Sequence, residues 1–220
     1  MSTLTRTQRL LVARRNPENS AYETIGELSR DEHGYTFTYR PGVRRGLPGM
    51  EELSETYRSD ELFPLFEHRV ISPRRADHDE YLHGLGLPPS ATPFEVLARS
   101  GGRSAVDTLE ITPMPEVGPV DICFLVHGIR HLSEHERLHI DQLRVGQLLD
   151  LRAEPENEFD ARAVLVTFDG HRLGYVPRPL LEYVHPMMEG GVTLSVEKVN
   201  SASAGFHMRL LVRLQGLLPG

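Results

Sequence analysis

The histidines of this chain have a spacing that could support metal chemistry. His127, His131, His135 and His139 follow one another at intervals of four residues. On one continuous helix these imidazoles would share a face and could bind zinc. However, Gly128 follows an apolar strand pattern and a capping box opens only at Ser133, so we expect the helix to carry His135 and His139 alone. Solvated or locally hydrogen-bonded histidines are therefore expected, with no metal site.

Other chemically suggestive residues fit structural roles. Gly101-Gly-Arg-Ser-Ala105 could indicate a phosphate cradle, but it lacks the lysine of a P-loop and precedes a predicted strand, which favours a helix end and a turn. Cys123 lies in an apolar run where a thiol would be inert, and no Ser-His-Asp or Cys-His arrangement stands out. The sequence therefore predicts a protein that is not an enzyme, with no catalytic residues and no cofactor.

Charge and composition limit the classes of partner. The 220 residues include 24 basic and 31 acidic side chains, which give a net charge of −7. Proteins that coat duplex DNA gain affinity from many basic groups through counterion release, and no such surface is evident here. Any nucleic-acid contact should be a small pocket. One cysteine and no long apolar run predict a cytoplasmic protein that does not enter the membrane.

The elements that must position any site are divided by the proline-rich segment Pro113–Pro119. Three prolines in seven residues cannot continue a helix or sit inside a sheet, so we predict two domains, 1–117 and 118–220. The elements on each side are predicted from hydrophobic periodicity, from capping boxes at Thr92-Pro-Phe-Glu95 and Ser133-Glu-His-Glu136, and from the tight-turn dipeptide Asp169-Gly170. In the first domain these are strands at 8–13, 25–28, 35–39 and 106–112, a loop at 40–58, and helices at 60–70, 77–83 and 93–100. In the second they are strands at 122–126, 147–152, 163–168, 172–176, 192–199 and 206–214, and helices at 134–143 and 178–188.

The second domain resembles the HIRAN domain, a small β-barrel module. Five blocks occur in the family's order over residues 120–216: Val126-His-Gly-Ile-Arg-His131, Gly146-Gln-Leu-Leu-Asp-Leu-Arg-Ala-Glu-Pro155, Asn157-Glu-Phe-Asp160 with Ala163-Val164, Gly170, and Leu173-Gly-Tyr-Val-Pro-Arg178. The family's loop usually reads Asn-Pro-Tyr-Asp. Here Glu158 replaces the proline and Phe159 the tyrosine, which keeps an aromatic ring but removes a hydroxyl.

This resemblance implies a set of binding residues, because well-studied HIRAN domains bind the 3′ end of single-stranded DNA. Asp160 would accept a hydrogen bond from the terminal hydroxyl, Phe159 would stack on a base, and Asn157 would hold the loop or the terminal nucleotide. The rest of the pocket would be lined by Arg130, His131, Tyr175 and Arg178, with the arginines on phosphates. Three glutamates in the same loop would repel phosphate: Glu154, Glu156 and Glu158.

The same loop also has a purely structural interpretation. Asn-x-Phe-Asp between strands is a good turn, in which Asn157 and Asp160 accept from backbone N–H groups and Phe159 fills the core. Both interpretations stay open from the sequence.

The first domain resembles the N-terminal subdomain of HipA-type serine/threonine kinases, the toxins of toxin–antitoxin systems. The matching segments are Ile25-Gly-Glu-Leu28, Tyr35-Thr-Phe-Thr-Tyr39, Leu62-Phe-Pro-Leu-Phe-Glu67, Phe94-Glu-Val-Leu97 and 101–113. No kinase core follows, so phosphoryl transfer is not available to this chain alone. The predicted fold class is α+β: an antiparallel sheet with helices, as in the HipA subdomain, followed by a HIRAN-type β-barrel with two helices.

Three hypotheses about function follow. The first is a non-enzymatic bacterial protein whose HIRAN domain recognises nucleic acid, in particular a single-stranded DNA 3′ end. The second is an antitoxin or regulatory subunit that binds and restrains a separately encoded HipA-like kinase. The third is a zinc-dependent nuclease that uses the histidine series.

Overall fold

Two antiparallel sheets dominate the computed structural model, which describes residues 9–16, 22–104 and 107–220. The first sheet contains β1 (Arg9–Arg15), β2 (Tyr22–Asp31), β3 (Gly34–Tyr39), β4 (Thr56–Ser59) and β5 (Leu109–Pro113), in the order β4-β3-β2-β1-β5. The mixed fold class with antiparallel sheets is confirmed. The predicted positions Gln8, Ala105 and Val106 lie outside the described residues.

Three short helices accompany the first sheet: α1 (Pro64–Glu67), α2 (His78–Gly84) and α3 (Pro93–Ser100). The capping box that opens α3 is confirmed, because the Thr92 hydroxyl accepts from the backbone N–H of Glu95 and the Glu95 carboxylate accepts from the backbone N–H of Thr92. The helix predicted at 60–70 is wrong in length, since Phe63 is not helical and α1 runs only from Pro64 to Glu67. The loop predicted at 40–58 is also too long, because β4 pairs with β3.

Six strands form the second sheet: β6 (Gly118–Leu125), β7 (Leu148–Ala153), β8 (Val164–Phe168), β9 (His171–Tyr175), β10 (Val192–Val199) and β11 (Leu210–Leu218), in the order β6-β11-β10-β7-β8-β9. Strand β7 turns a corner, since Leu148 and Leu149 pair with β10 and the residues from Asp150 onward pair with β8. Just after β6, His127 exchanges two backbone hydrogen bonds with Tyr175 at the end of β9. This bridge joins the two edges, so the sheet rolls up.

Two helices belong to the second sheet, α4 (Glu134–Gln142) and α5 (Leu181–Gly190). The predicted capping box of α4 is present at Ser133 and Glu136. The helix predicted from residue 178 begins instead as a 3₁₀ turn at Arg178–Leu180, where Pro179 follows an extended Pro177. The strand predicted at 206–214 starts only at Leu210, because Phe206–Met208 form another 3₁₀ turn. Of the described helices α5 is the longest, at ten residues, and none combines the length and apolar character needed to cross a membrane.

The prediction that prolines stay outside the strands at the domain boundary is wrong. Pro113 is the last residue of β5, and Pro119 is the second residue of β6. Both strands are sheet edges, where a missing N–H can face away from the ladder. The division of the chain into 1–117 and 118–220 stays a prediction.

Each sheet covers its own apolar core, and a third cluster lies between them. Residues of α2 and α3 pack against the face of β6 and β11 that points away from the second core. We call this cluster the shared apolar layer; its buried members are Leu82, Leu85, Val96, Cys123, Leu125, Met208 and Leu211. Asn200 strengthens the contact, since its side-chain amide donates to the Gly84 and Met208 carbonyls at 2.8 and 2.6 Å.

Candidate functional site

The loop between β7 and β8, residues 154–163, has a backbone fixed by its own side chains. The Asn157 Oδ1 atom accepts from the backbone N–H groups of Phe159 and Asp160, at 3.0 and 3.2 Å. The Asp160 Oδ1 atom accepts from the N–H of Arg162 at 3.0 Å. These are the Asx-turn bonds of the structural interpretation, and they give the loop a defined shape.

Phe159 contradicts the other half of that interpretation. Its side chain does not fill the core, because 82% of the residue's surface is exposed. An exposed phenylalanine on a loop held by its own hydrogen bonds offers an apolar ring face. A planar group can stack on this face without any rearrangement of the loop.

Arg178 binds the β7–β8 loop through an ion pair and a hydrogen bond. Its Nε lies 3.1 Å from the Asp160 Oδ2 atom, and one of its Nη atoms donates to the Phe159 carbonyl oxygen at 3.1 Å. The HIRAN resemblance implies a phosphate contact for this arginine, which stays a prediction, while these two bonds join it to the loop. A carboxylate has about four lone-pair sites, so the pair still leaves Asp160 able to accept from a hydroxyl.

Tyr175 and Glu154 form the floor of the loop. The Tyr175 hydroxyl donates to the Glu154 carboxylate at 2.9 Å, and the Asn157 amide donates to the same oxygen at 3.1 Å. Burial and then the bond to Glu154 raise the pKa of Tyr175 above its usual value. Arg172 completes the network by donating to the Tyr175 hydroxyl at 2.7 Å. Sequence reasoning missed the supporting roles of Glu154 and Arg172. The Glu154 carboxylate accepts hydrogen bonds from Tyr175 and Asn157.

Arg130 and His131 lie on an adjacent turn instead of in the loop network. They belong to the 3₁₀ turn Ile129–His131, which starts two residues after the bridge to Tyr175. Both are exposed, and the Arg130 Nε donates to the His131 Nε2 at 2.9 Å. Five of the seven predicted site residues are therefore linked by hydrogen bonds and an ion pair: Asn157, Phe159, Asp160, Tyr175 and Arg178. Arg130 and His131 lie outside this network.

The histidine series is divided between different environments. His135 and His139 share α4, as predicted, and the His139 ring stacks on His171 of β9 with centroids 3.6 Å apart. His127 lies instead beside Glu110 of β5, with 3.4 Å between Nε2 and Oε1. Within 9–16, 22–104 and 107–220, no three potential ligands are grouped to hold a metal ion.

A family comparison decides the class of the second half. Residues 120–215 match the family model of the HIRAN domain. These residues are a HIRAN domain.

Two solved structures are similar to the same part of the chain. One is a protein from Lactobacillus plantarum, 22% identical over 46% of this chain and 99% of that one, with a TM-score of 0.35. The other is the HIRAN domain of human HLTF, 19% identical over 46% of this chain and 77% of that one, with a TM-score of 0.32. No curated protein matches the chain. The HipA resemblance of the first half gains no support from these comparisons.

A partly buried histidine of the HIRAN domain, His127, predicts a pH dependence of stability. Burial lowers the pKa of His127 below its ordinary value of 6.5, and the nearby Glu110 only partly opposes this. The unfolded chain therefore binds more protons, and the stability contributed above the unfolded pKa is lost as the pH falls through the folded pKa. Urea unfolding measured from about pH 7.5 to 5.5 should show a declining free energy of unfolding, with a shallower decline in His127→Gln. An unchanged slope in His127→Gln, matching that of the exposed-site control His33→Gln, would contradict this assignment.

Proposed function

We propose that the HIRAN domain binds the 3′ end of single-stranded DNA through the β7–β8 loop and does no chemistry on it. The observation that carries the proposal is the exposed ring of Phe159, held beside Asp160 on a loop of fixed shape. Stacking of a terminal base on such a ring is tolerant of base identity, because every base has a π-face. The HIRAN family model at these residues supports the same assignment.

Each loop residue then has a defined part in the proposed complex. Phe159 stacks on the terminal base, and Asp160 accepts a hydrogen bond from the terminal hydroxyl. Arg178 orients both of them through its bonds to the Asp160 carboxylate and the Phe159 carbonyl. Arg130 and His131 are exposed on the adjacent turn, and in the proposed complex they contact a phosphate of the incoming strand.

The charge of the loop sets the size of the proposed footprint. Glu156 and Glu158 are exposed and repel a phosphodiester backbone, whereas Glu154 is turned inward to Tyr175 and Asn157. A strand that ran along this loop would meet both exposed carboxylates. We therefore expect the domain to engage the last nucleotides of a strand and to show a shallow salt dependence, since few phosphates are neutralised.

The decisive test compares strand ends. Fluorescence anisotropy of the full chain should show tighter binding of a 3′-hydroxyl strand than of the same strand ending in 3′-phosphate, because a phosphate dianion repels Asp160. Asp160→Ala should weaken binding of the hydroxyl end by about tenfold, as expected for a hydrogen bond to a charged group.

The matched control is another aspartate that pairs with an arginine in the same domain. Asp121 contacts Arg213 through both carboxylate oxygens and lies on β6. Asp121→Ala should leave the affinity unchanged. Equal, weak binding of both strand ends that Asp160→Ala does not alter would overturn the proposal.

The hypothesis of an antitoxin that restrains a HipA-like kinase stays a prediction, and so does the absence of enzymatic activity. No contact in the described residues favours the kinase partner. Pull-down from the native host would test it, since a regulatory subunit should co-purify with its kinase.

A further inference from the structure

One aromatic residue of the first sheet reaches the candidate site. Tyr22 is the first residue of β2, and the guanidinium carbon of Arg178 lies over its ring, 5.6 Å from the ring centroid. The 3₁₀ turn that carries Arg178 packs against β2 and β5. Arg178, which bonds to the β7–β8 loop, is thus in contact with a residue that lies outside the family match.

The two sides of the Arg178 guanidinium have different partners. Its N–H edge holds the loop, with Nε on the Asp160 carboxylate and Nη on the Phe159 carbonyl. Its face lies against Tyr22. A planar cation held at edge and face has little freedom to rotate, so the ring helps to determine where the loop's carboxylate points.

Tyr22 is a suitable support because its ring stays uncharged. Burial, and next the Glu110 carboxylate, raise the pKa of Tyr22 to about 12, so the phenol stays neutral in ordinary buffers. Glu110 is 3% exposed and lies between Tyr22 and His127 at the contact of the two sheets. His127 in turn bonds through its backbone to Tyr175, which lies under the loop.

We propose that Tyr22, contributed by the first sheet, is a positioning residue of the DNA-end site, acting through Arg178 on Asp160 and Phe159. This inference rests on the proposed function of the HIRAN domain. It makes the first half of the chain a part of the site, because end recognition then depends on a side chain about 130 residues before the loop.

The test uses the full chain and a fluorescent single strand with a 3′-hydroxyl or a 3′-phosphate end. Tyr22→Leu removes the ring and should weaken binding of the hydroxyl end about threefold to tenfold, with a reduced preference over the phosphate end. Tyr22→Phe keeps the ring and should bind within about twofold of the original protein.

The matched control is the same kind of pair at another place in the first sheet. Arg30 lies over the Tyr35 ring, also with 5.6 Å to the centroid, at the far end of the β2–β3 hairpin. Tyr35→Leu should leave end binding and the preference between ends unchanged. An equal loss in Tyr35→Leu and Tyr22→Leu would mean general weakening of the sheet, and would overturn the positioning role.

A second measurement does not depend on DNA. Amide hydrogen exchange at Asp160 and Arg162 should speed up in Tyr22→Leu and remain slow in Tyr22→Phe. The reason is that Arg178 holds the loop less firmly only when the ring at position 22 is absent. If Tyr22→Leu does not fold, Tyr22→Val replaces it, since a β-branched residue suits the strand.

These outcomes separate the two proposals. An original protein that binds both strand ends equally refutes end recognition, while faster loop exchange in Tyr22→Leu still upholds the support of the loop by Tyr22. Selective end binding that Tyr22→Leu leaves intact, with unchanged loop exchange, refutes the role of Tyr22 alone.

Discussion

Phe159→Ala is expected to weaken the binding of single-stranded DNA ends by about 5- to 150-fold, the loss of one base–aromatic stacking contact. The side chain is 82% exposed, so its removal leaves the packing of the HIRAN domain intact. Anisotropy titrations should therefore show weaker binding while thermal unfolding stays the same. Phe159→Tyr, which restores the residue usual in the family, should bind at least as well as the original protein.

The control for this experiment is a second exposed aromatic of the same domain. Phe206 is 49% exposed and lies under the guanidinium of Arg137, at 5.1 Å. Phe206→Ala removes a comparable ring away from the β7–β8 loop and should not change the affinity. The stacking role of Phe159 is refuted if Phe159→Ala binds as tightly as Phe206→Ala.

Gly174→Ala is expected to destabilise the fold by about 3 kcal/mol, the combined cost of backbone strain and a backbone clash. Gly174 has a φ of 130°, which side-chain-bearing residues rarely adopt. A Cβ atom there would overlap the His127 carbonyl oxygen and come within 2.6 Å of Val126 Cγ1. That carbonyl accepts the bond from Tyr175 that helps to close the sheet, so the bridge would have to open. Urea unfolding gives the change directly.

Gly118→Ala separates the clash from the strain. Gly118 has a similar φ of 113°, but a Cβ atom there would meet no atom within 4 Å. It should therefore cost about 1 kcal/mol, which is the strain alone. Equal destabilisation by the two substitutions would show that contact with His127 contributes nothing.

Local signals in the sequence predicted most elements of the fold. The capping boxes at Thr92 and Ser133 place the starts of α3 and α4 because each bond joins residues three apart. The Asp169-Gly170 turn likewise joins β8 to β9, with positive φ at both residues. Strand β4 escaped prediction because its four residues are stabilised by pairing with β3 and carry little pattern of their own.

The loop of the candidate site was predictable in part. The Asx bonds of Asn157 and Asp160 follow from residue type, whereas the exposure of Phe159 does not, since a phenylalanine in a turn can point either way. The contact of Arg172 with Tyr175 depends on a β-bulge. In a regular strand residues three apart face opposite sides, but Leu173 is skipped in the pairing of β9 with β8.

Long-range contacts were beyond sequence reasoning. Arg178 bonds to a loop residue about twenty positions earlier in the chain, and its contact with the Tyr22 ring joins the two sheets. Neither contact leaves a periodic or compositional signal, because each depends on how whole elements pack. The bonds of Arg178 to the loop therefore could not be foreseen, and the phosphate contact that the resemblance implies for it stays a prediction.

The shared apolar layer has a consequence for what counts as a module in this chain. The family match begins at residue 120, yet Cys123, Leu125, Met208 and Leu211 are covered by side chains of α2 and α3. A fragment that began at residue 120 would expose these four apolar side chains to solvent and would be prone to aggregation. The family match is therefore shorter than the part of the chain that buries these side chains, because helices of the first half cover apolar surface of the HIRAN domain.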